Sequence, residues 1–142
     1  MDPVLNKALK KLSERAKELE CIHNVEQAIK NSGNSEEKLF KQLVEIIPRG
    51  MQYPTICEVQ ISYGDNTYES DEYSDSQWMI KSDLLVDNNP VGHIKVVYTQ
   101  SISPESGKQF LPDEQKLLEN LASRISCWLF VLMIKSSKKQ LP

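Results

Sequence analysis

The chain has 142 residues, 39% of them apolar and 26% charged, with a formal net charge of −3. That is length for one domain with a real core, and the charge is unevenly spread. Residues Gly50–Leu111 carry 3 Lys/Arg against 9 Asp/Glu, which leaves no basic stripe to neutralise phosphates and excludes a nucleic-acid binder.

In chain order, Asp2-Pro3 opens a helix predicted to run to about Lys30. Leu5, Leu9, Leu12, Ala16 and Leu19 alternate steps of four and three, the seam of a coiled coil. After Leu19 the apolar positions shift to Ile22, Val25 and Ala28/Ile29, closer to the face of a globular helix. Charges at Glu14, Arg15, Lys17 and Glu18 can pair along a solvated flank. Such a narrow seam needs a partner helix. Asn31-Ser32-Gly33-Asn34-Ser35 ends the element. Asn34 with Glu37 has capping-box spacing, and Ser35 is a competing cap. Leu39, Phe40, Leu43, Val44, Ile46 and Ile47 then predict a short amphipathic helix, stopped by Pro48-Arg49-Gly50, that packs flat on a sheet.

Thr55 to Tyr63 alternates, with Cys57, Val59, Ile61 and Tyr63 on one face. Gly64-Asp65-Asn66 is a hairpin turn, and Thr67 to about Tyr73 a polar edge strand. Trp78 to Val86 and Val91 to Thr99 read as two more strands around Asp87-Asn88-Asn89-Pro90, with Ile94, Val96 and Tyr98 inward. A crossover loop from Gln100 to Gln109 leads to a last helix, from about Phe110 to Lys138. Its start is marked by Pro112, Asp113 and Glu114, which suit a first turn. From Trp128 to Ile134 it is apolar all round, so it must be covered on every side. Glu119, Asn120, Ser123 and Arg124 interrupt it too early for a membrane span. The sum is an α+β fold, an antiparallel sheet covered on one face by helices, with long first and last helices. Residues 1–30 form a dimerisation helix and 31–142 the domain.

No catalytic set is visible. His23 lies on a helix, but Asn24 follows it and Val25-Glu26-Gln27-Ala28 holds no Pro, unlike a phosphoacceptor segment. Cys21 with His23, or Cys57 with His93, lacks the four convergent ligands of a metal site. Asp65, Glu69, Asp71, Glu72 and Asp75 fit no calcium loop and read as solvated charges on an edge hairpin. Five scattered glycines offer no phosphate cradle. The expectation is a protein that is not an enzyme by itself, with no metal and no cofactor. Cys21, Cys57 and Cys127 are odd in number and lie among apolar residues, which predicts buried free thiols in a reducing, cytoplasmic setting. Cys57, Val59, Tyr63, Trp78, Ile94, Val96 and Tyr98 are candidates to line a pocket for a small molecule, or simply to fill the core.

Several stretches carry a resemblance: Leu12 to Ile22, Val44 to Pro54, the Trp78 strand, Val91 to Val96, and Phe110 to Glu114. Together they are similar to the compact GAF-like sensory domains of bacterial sensor histidine kinases. Such domains also stand at the front of proteins related to phosphoenolpyruvate synthase and pyruvate phosphate dikinase. The resemblance covers about Leu9 to Leu129, and Pro48 to Pro54 is its most specific piece. It implies a regulatory domain, dimeric through first and last helices, with varied ligands or none. The alternatives are a free-standing protein whose apolar helices dock a partner, or a small enzyme. The expected homodimer interface is Leu5, Leu9, Leu12, Ala16, Leu19, Ile125, Trp128, Leu129, Leu132 and Met133.

Overall fold

The computed structural model describes residues 2–100 and 110–140, with side chains to residue 136. Helix α1 spans Pro3–Asn31 and α2 spans Glu36–Ile46. Two 3₁₀ turns, Ile47–Gly50 and Pro54–Ile56, lead to β1, Cys57–Tyr63. Strands β2 (Asn66–Glu69), β3 (Met79–Val86) and β4 (Asn89–Tyr98) follow, then α3, Pro112–Gln140. The fold is α+β: a four-stranded antiparallel sheet in the order β2-β1-β4-β3, with three helices.

Local chemistry accounts for the boundaries. Asp2 caps α1 by accepting from the Val4 N–H at 2.9 Å. Of the two possible caps of α2, Ser35 takes the position and accepts from Lys38 N at 3.1 Å. The β3–β4 hairpin turns on Asp87 and Asn88, both at positive φ (53° and 65°), as a tight two-residue turn demands. Gly64, at φ 56°, does the same for β1–β2. Strand β2 is shorter than the predicted Thr67–Tyr73. Ser70 still donates its N–H to Val59 O at 3.0 Å, but its hydroxyl instead of its carbonyl accepts from Val59 N at 2.9 Å, and Tyr73 N turns back to Ser70 O. The expected crossover loop, Pro104 and Gly107 included, lies beyond Gln100 outside the described residues.

The side chains of β1 and β4 that alternate inward, Cys57, Val59, Ile61, Ile94, Val96 and Tyr98, are all buried against the helices. Helix α2 sets Phe40 edge-on to Tyr63 at 6.0 Å and beside Tyr68 at 5.3 Å, so it lies flat on the β1–β2 side. Helix α3 lies along β3 and covers part of its free edge. Leu85 N–H donates to Ser126 Oγ at 3.0 Å, and Gln115 Nε2 donates to Lys81 O at 3.4 Å. The β2–β3 connection runs from one sheet edge to the other across the opposite face. Asp75 meets Lys95 there, and Ser76 Oγ donates to Tyr98 O at 2.7 Å. Val97 points to that face and is nonetheless fully buried.

Helix α1 shares this core rather than standing apart from it. Cys21, Val25 and Ala28 pack in one cluster with Leu43, Ile47, Leu117 and Leu121, so a division at residue 30 cuts through a single core. Its direction follows from three contacts. A Cβ on Gly50 would lie 2.8 Å from Cys21 Cβ and 3.1 Å from Leu117 Cδ2. Glu26 pairs with Arg124, and Ile29 and Leu132 line one cleft. Numbers rise together, so α1 and α3 run parallel. Each is about 44 Å long at 1.5 Å per residue.

Gly50 is the wedge point between the two helices. Gly50→Ala should destabilise the protein by about 1–3 kcal/mol, because its methyl group meets the rigid Cys21 Cβ rather than a movable side-chain tip. Urea unfolding of the two proteins measures this, and equal midpoints would contradict it.

Candidate functional site

The expected pocket is occupied by its own walls. Cys57, Val59, Ile94, Val96 and Tyr98 are at most 2% exposed, and Tyr63 and Trp78 pack half-buried against them. Tyr98 stacks on Phe110 with centroids 4.3 Å apart and meets Tyr53 edge-on at 5.8 Å. These side chains fill the core. Two of the clefts among the described residues open elsewhere on the surface. One, of about 500 Å³, runs along Glu36, Glu37 and Asp65–Tyr68. The other, of about 300 Å³, lies between Ile29–Asn34 and Trp128–Lys135.

One carboxylate among the described residues is embedded in the core. Glu114, in the first turn of α3, is buried. Its carboxylate accepts from Leu111 N at 2.8 Å, from Gln52 N at 3.1 Å and from the Tyr98 hydroxyl. Tyr98 Oη in turn accepts from Tyr53 N at 3.3 Å. Burial, then the bond to Glu114, holds the Tyr98 phenol far above its ordinary range, so it stays a donor. The carboxylate thus ties the start of α3, the segment after the first 3₁₀ turn and the end of β4 into one network. Burial also pushes the Cys21 thiol up to about 12, and burial with Glu114 and Glu58 raises Cys57. Both are inert, protonated thiols. All three cysteines are free, but Cys127 is exposed, contrary to the expectation that all three are buried. It sits on the outer side of α3, a position the all-round apolar run does not reveal.

The remaining chemical candidates do not converge. Cys21 faces the core and His23 faces solvent, on opposite sides of α1. Burial lowers the His93 pKa, with Lys81 and Lys95 adding to the effect. Asp65, Glu69, Asp71, Glu72 and Asp75 are all exposed. Glu69 is engaged by Gln60 at 2.7 Å and Asp75 by the Tyr73 hydroxyl at 2.9 Å. Glu36 accepts from Tyr68 at 2.7 Å and from Asn66 at 3.1 Å; burial, then that bond, lifts Tyr68 to about 12. Among the described residues, no group of three or more His, Cys, Asp or Glu stands ready for a metal.

What the structure does present is uncovered apolar surface on two helices. Leu5, Leu9, Leu12 and Leu19 are 48–67% exposed, and Ala16 is exposed with them. At 3.6 residues per turn, this row points half a turn away from Cys21, Val25 and Ala28, the side of α1 that enters the core. The expected interface on α3 divides. Ile125 and Leu129 are fully buried in the chain's own core and leave no surface for a partner. Trp128 and Leu132 are half-buried, Trp128 against Phe40 at 6.4 Å, and Met133 is exposed. The outward row is Cys127, Phe130, Val131 and Ile134, of which the last three are 40–46% exposed. By length and composition α3 could cross a membrane, yet Leu117, Leu118, Leu121, Ile125 and Leu129 belong to the core of the domain.

These features define a small α+β domain with one core and two partly uncovered helices. Comparison of the chain with protein-family models, with curated proteins and with solved structures finds no match.

Removing the Tyr98 hydroxyl leaves a buried carboxylate one donor short. Tyr98→Phe should therefore cost about 1–3 kcal/mol in urea unfolding. An unchanged stability would show that water replaces the phenol at Glu114.

Proposed function

We propose that this chain is a non-catalytic, GAF-like regulatory module that works as a homodimer through its first and last helices. In this reading it is the front part of a longer signalling or phosphotransfer protein in a reducing, cytoplasmic compartment. One observation carries the proposal: the apolar row Leu5–Leu19 lies exposed on the side of α1 directly opposite the side its own core uses. Burying each large side chain stabilises by about 1.5–3 kcal/mol. Four leucines from each of two chains offset much of an association cost of about 4–15 kcal/mol. The antiparallel sheet with helices on one face, framed by long first and last helices, supports the GAF-like reading. Core side chains occupy the space beneath Trp78 and Tyr98, which favours the form of this reading that needs no small molecule there.

A second reading, a free-standing protein that docks a different partner, draws on Phe130, Val131 and Ile134. That patch sits at the far end of α3, away from the Leu5–Leu12 end of α1, and one interface need not cover both.

Leu12 is 67% exposed, so its replacement tests the interface without touching the core. In analytical ultracentrifugation at tens of micromolar, wild type should sediment as a dimer and Leu12→Asp as a folded monomer, with a Tm lowered only by the loss of the dimer. Leu129→Asp should unfold the domain instead, since it places a charge in the core. A wild-type monomer would contradict the proposal.

A further inference from the structure

We infer that the α1 row pairs with the same row of a second copy as a parallel, in-register, two-stranded coiled coil; the inference rests on the dimer reading above. The steps of four and three place Leu5, Leu12 and Leu19 at the d positions of a heptad, and Leu9, Ala16 and His23 at the a positions. The row ends where the structure ends it. The next d position is Glu26, which turns to Arg124 of its own α3. The flanking g positions are Ala8, Arg15 and Ile22, and the e positions Asn6, Ser13 and Glu20.

Direction follows from these flanks. In a parallel pair each g residue faces the e residue five positions on in the other helix, so Ala8 meets Ser13 and Arg15 meets Glu20. The single fully charged contact is attractive, and it forms twice by symmetry. Arg15 is available for it, being exposed and held only by Glu18 of its own helix at 3.2 Å. In an antiparallel pair g faces g. The register that keeps the leucines together, Leu9 opposite Leu19 and Leu12 opposite Ala16, then sets Arg15 beside Arg15 of the other copy. It also places the imidazole of His23 over Leu5. The parallel register instead puts His23 opposite His23, polar against polar at the end of the row, where the ring is exposed in the single chain. Like charge and polar mismatch both disfavour the antiparallel form.

The arrangement has a consequence for the other helix. Because α1 and α3 run parallel within each chain, a parallel α1 pair brings both α3 ends to the same end of the dimer. Each then presents Phe130, Val131 and Ile134 there. A change in the spacing or rotation of the α1 pair would reach both ends through Gly50 and the Glu26–Arg124 pair.

Cross-linking distinguishes the registers. In a Cys127→Ser background, Leu5→Cys protein is equilibrated in a glutathione redox buffer at tens of micromolar, alone and mixed with His23→Cys protein. The parallel form predicts a covalent Leu5→Cys homodimer in most chains and no mixed species, because positions 5 and 23 are about 27 Å apart along the pair. Arg15→Glu or Glu20→Arg alone should weaken the dimer about three- to tenfold, and the double variant should recover it. A dimer joined only through the mixed 5–23 species would overturn the parallel register and keep the dimer. A dimer showing neither cross-link would place the interface off this row and overturn the inference as well. A wild-type monomer would remove both readings together.

Discussion

A helix with two apolar faces half a turn apart needs two partners, and α1 supplies only one of them from its own chain. Cys21, Val25 and Ala28 fix the second half of the helix onto α2, the first 3₁₀ turn and α3. The first half runs on beyond that core, where Val4, Leu5, Leu9 and Leu12 meet solvent. Isolated helices of this length are marginal in water, because most helical stability in proteins comes from packing an amphipathic face. The continuous helix from Pro3 to Asn31 is therefore itself an argument for a second partner on the outer face.

The core beneath it is organised by contacts at the start of α3. Glu114 holds three donors from three separate segments, and this fixes where α3 begins relative to β4 and to the segment at Gln52. Gly50 then lets α1 approach α3 to a distance that any side chain would prevent. Together they set the two long helices parallel, and that direction decides which apolar patches can meet in an assembly. A buried carboxylate with all of its bonds made is an expensive but well-determined anchor.

Much of this was legible in the residues. Alternation in β1 and β4 and the row from Leu5 to Leu19 carry a local period and appear where they were expected. The turn expected over Asp87-Asn88-Asn89-Pro90 narrows to Asp87-Asn88, because Asn89 and Pro90 already pair with β3. The errors have a common physical source. From Trp128 to Ile134 every position of α3 is apolar, so the helical period has no phase there. Leu129, in the core, cannot be told there from Phe130 and Ile134, outside it, whereas Ile125 precedes the run and keeps the phase of Leu118 and Leu121. Cys127 was misjudged for the same reason. The Glu114 network joins residues 16 and 62 positions apart in sequence and leaves no local signature. Only its first half, a carboxylate in the opening turn of a helix, could be read. The candidate pocket shows a further limit: aromatic and aliphatic residues at strand spacing look alike whether they enclose a space or fill it.

Amide hydrogen exchange over residues 3–19, followed from nanomolar to tens of micromolar protein, tests the central claim most directly. If a second copy covers the outer face of α1, protection of these amides should rise with concentration, while the amides of β1 and β4 stay equally protected throughout. Protection that is the same at every concentration would mean that α1 finds no second copy, and would contradict the account.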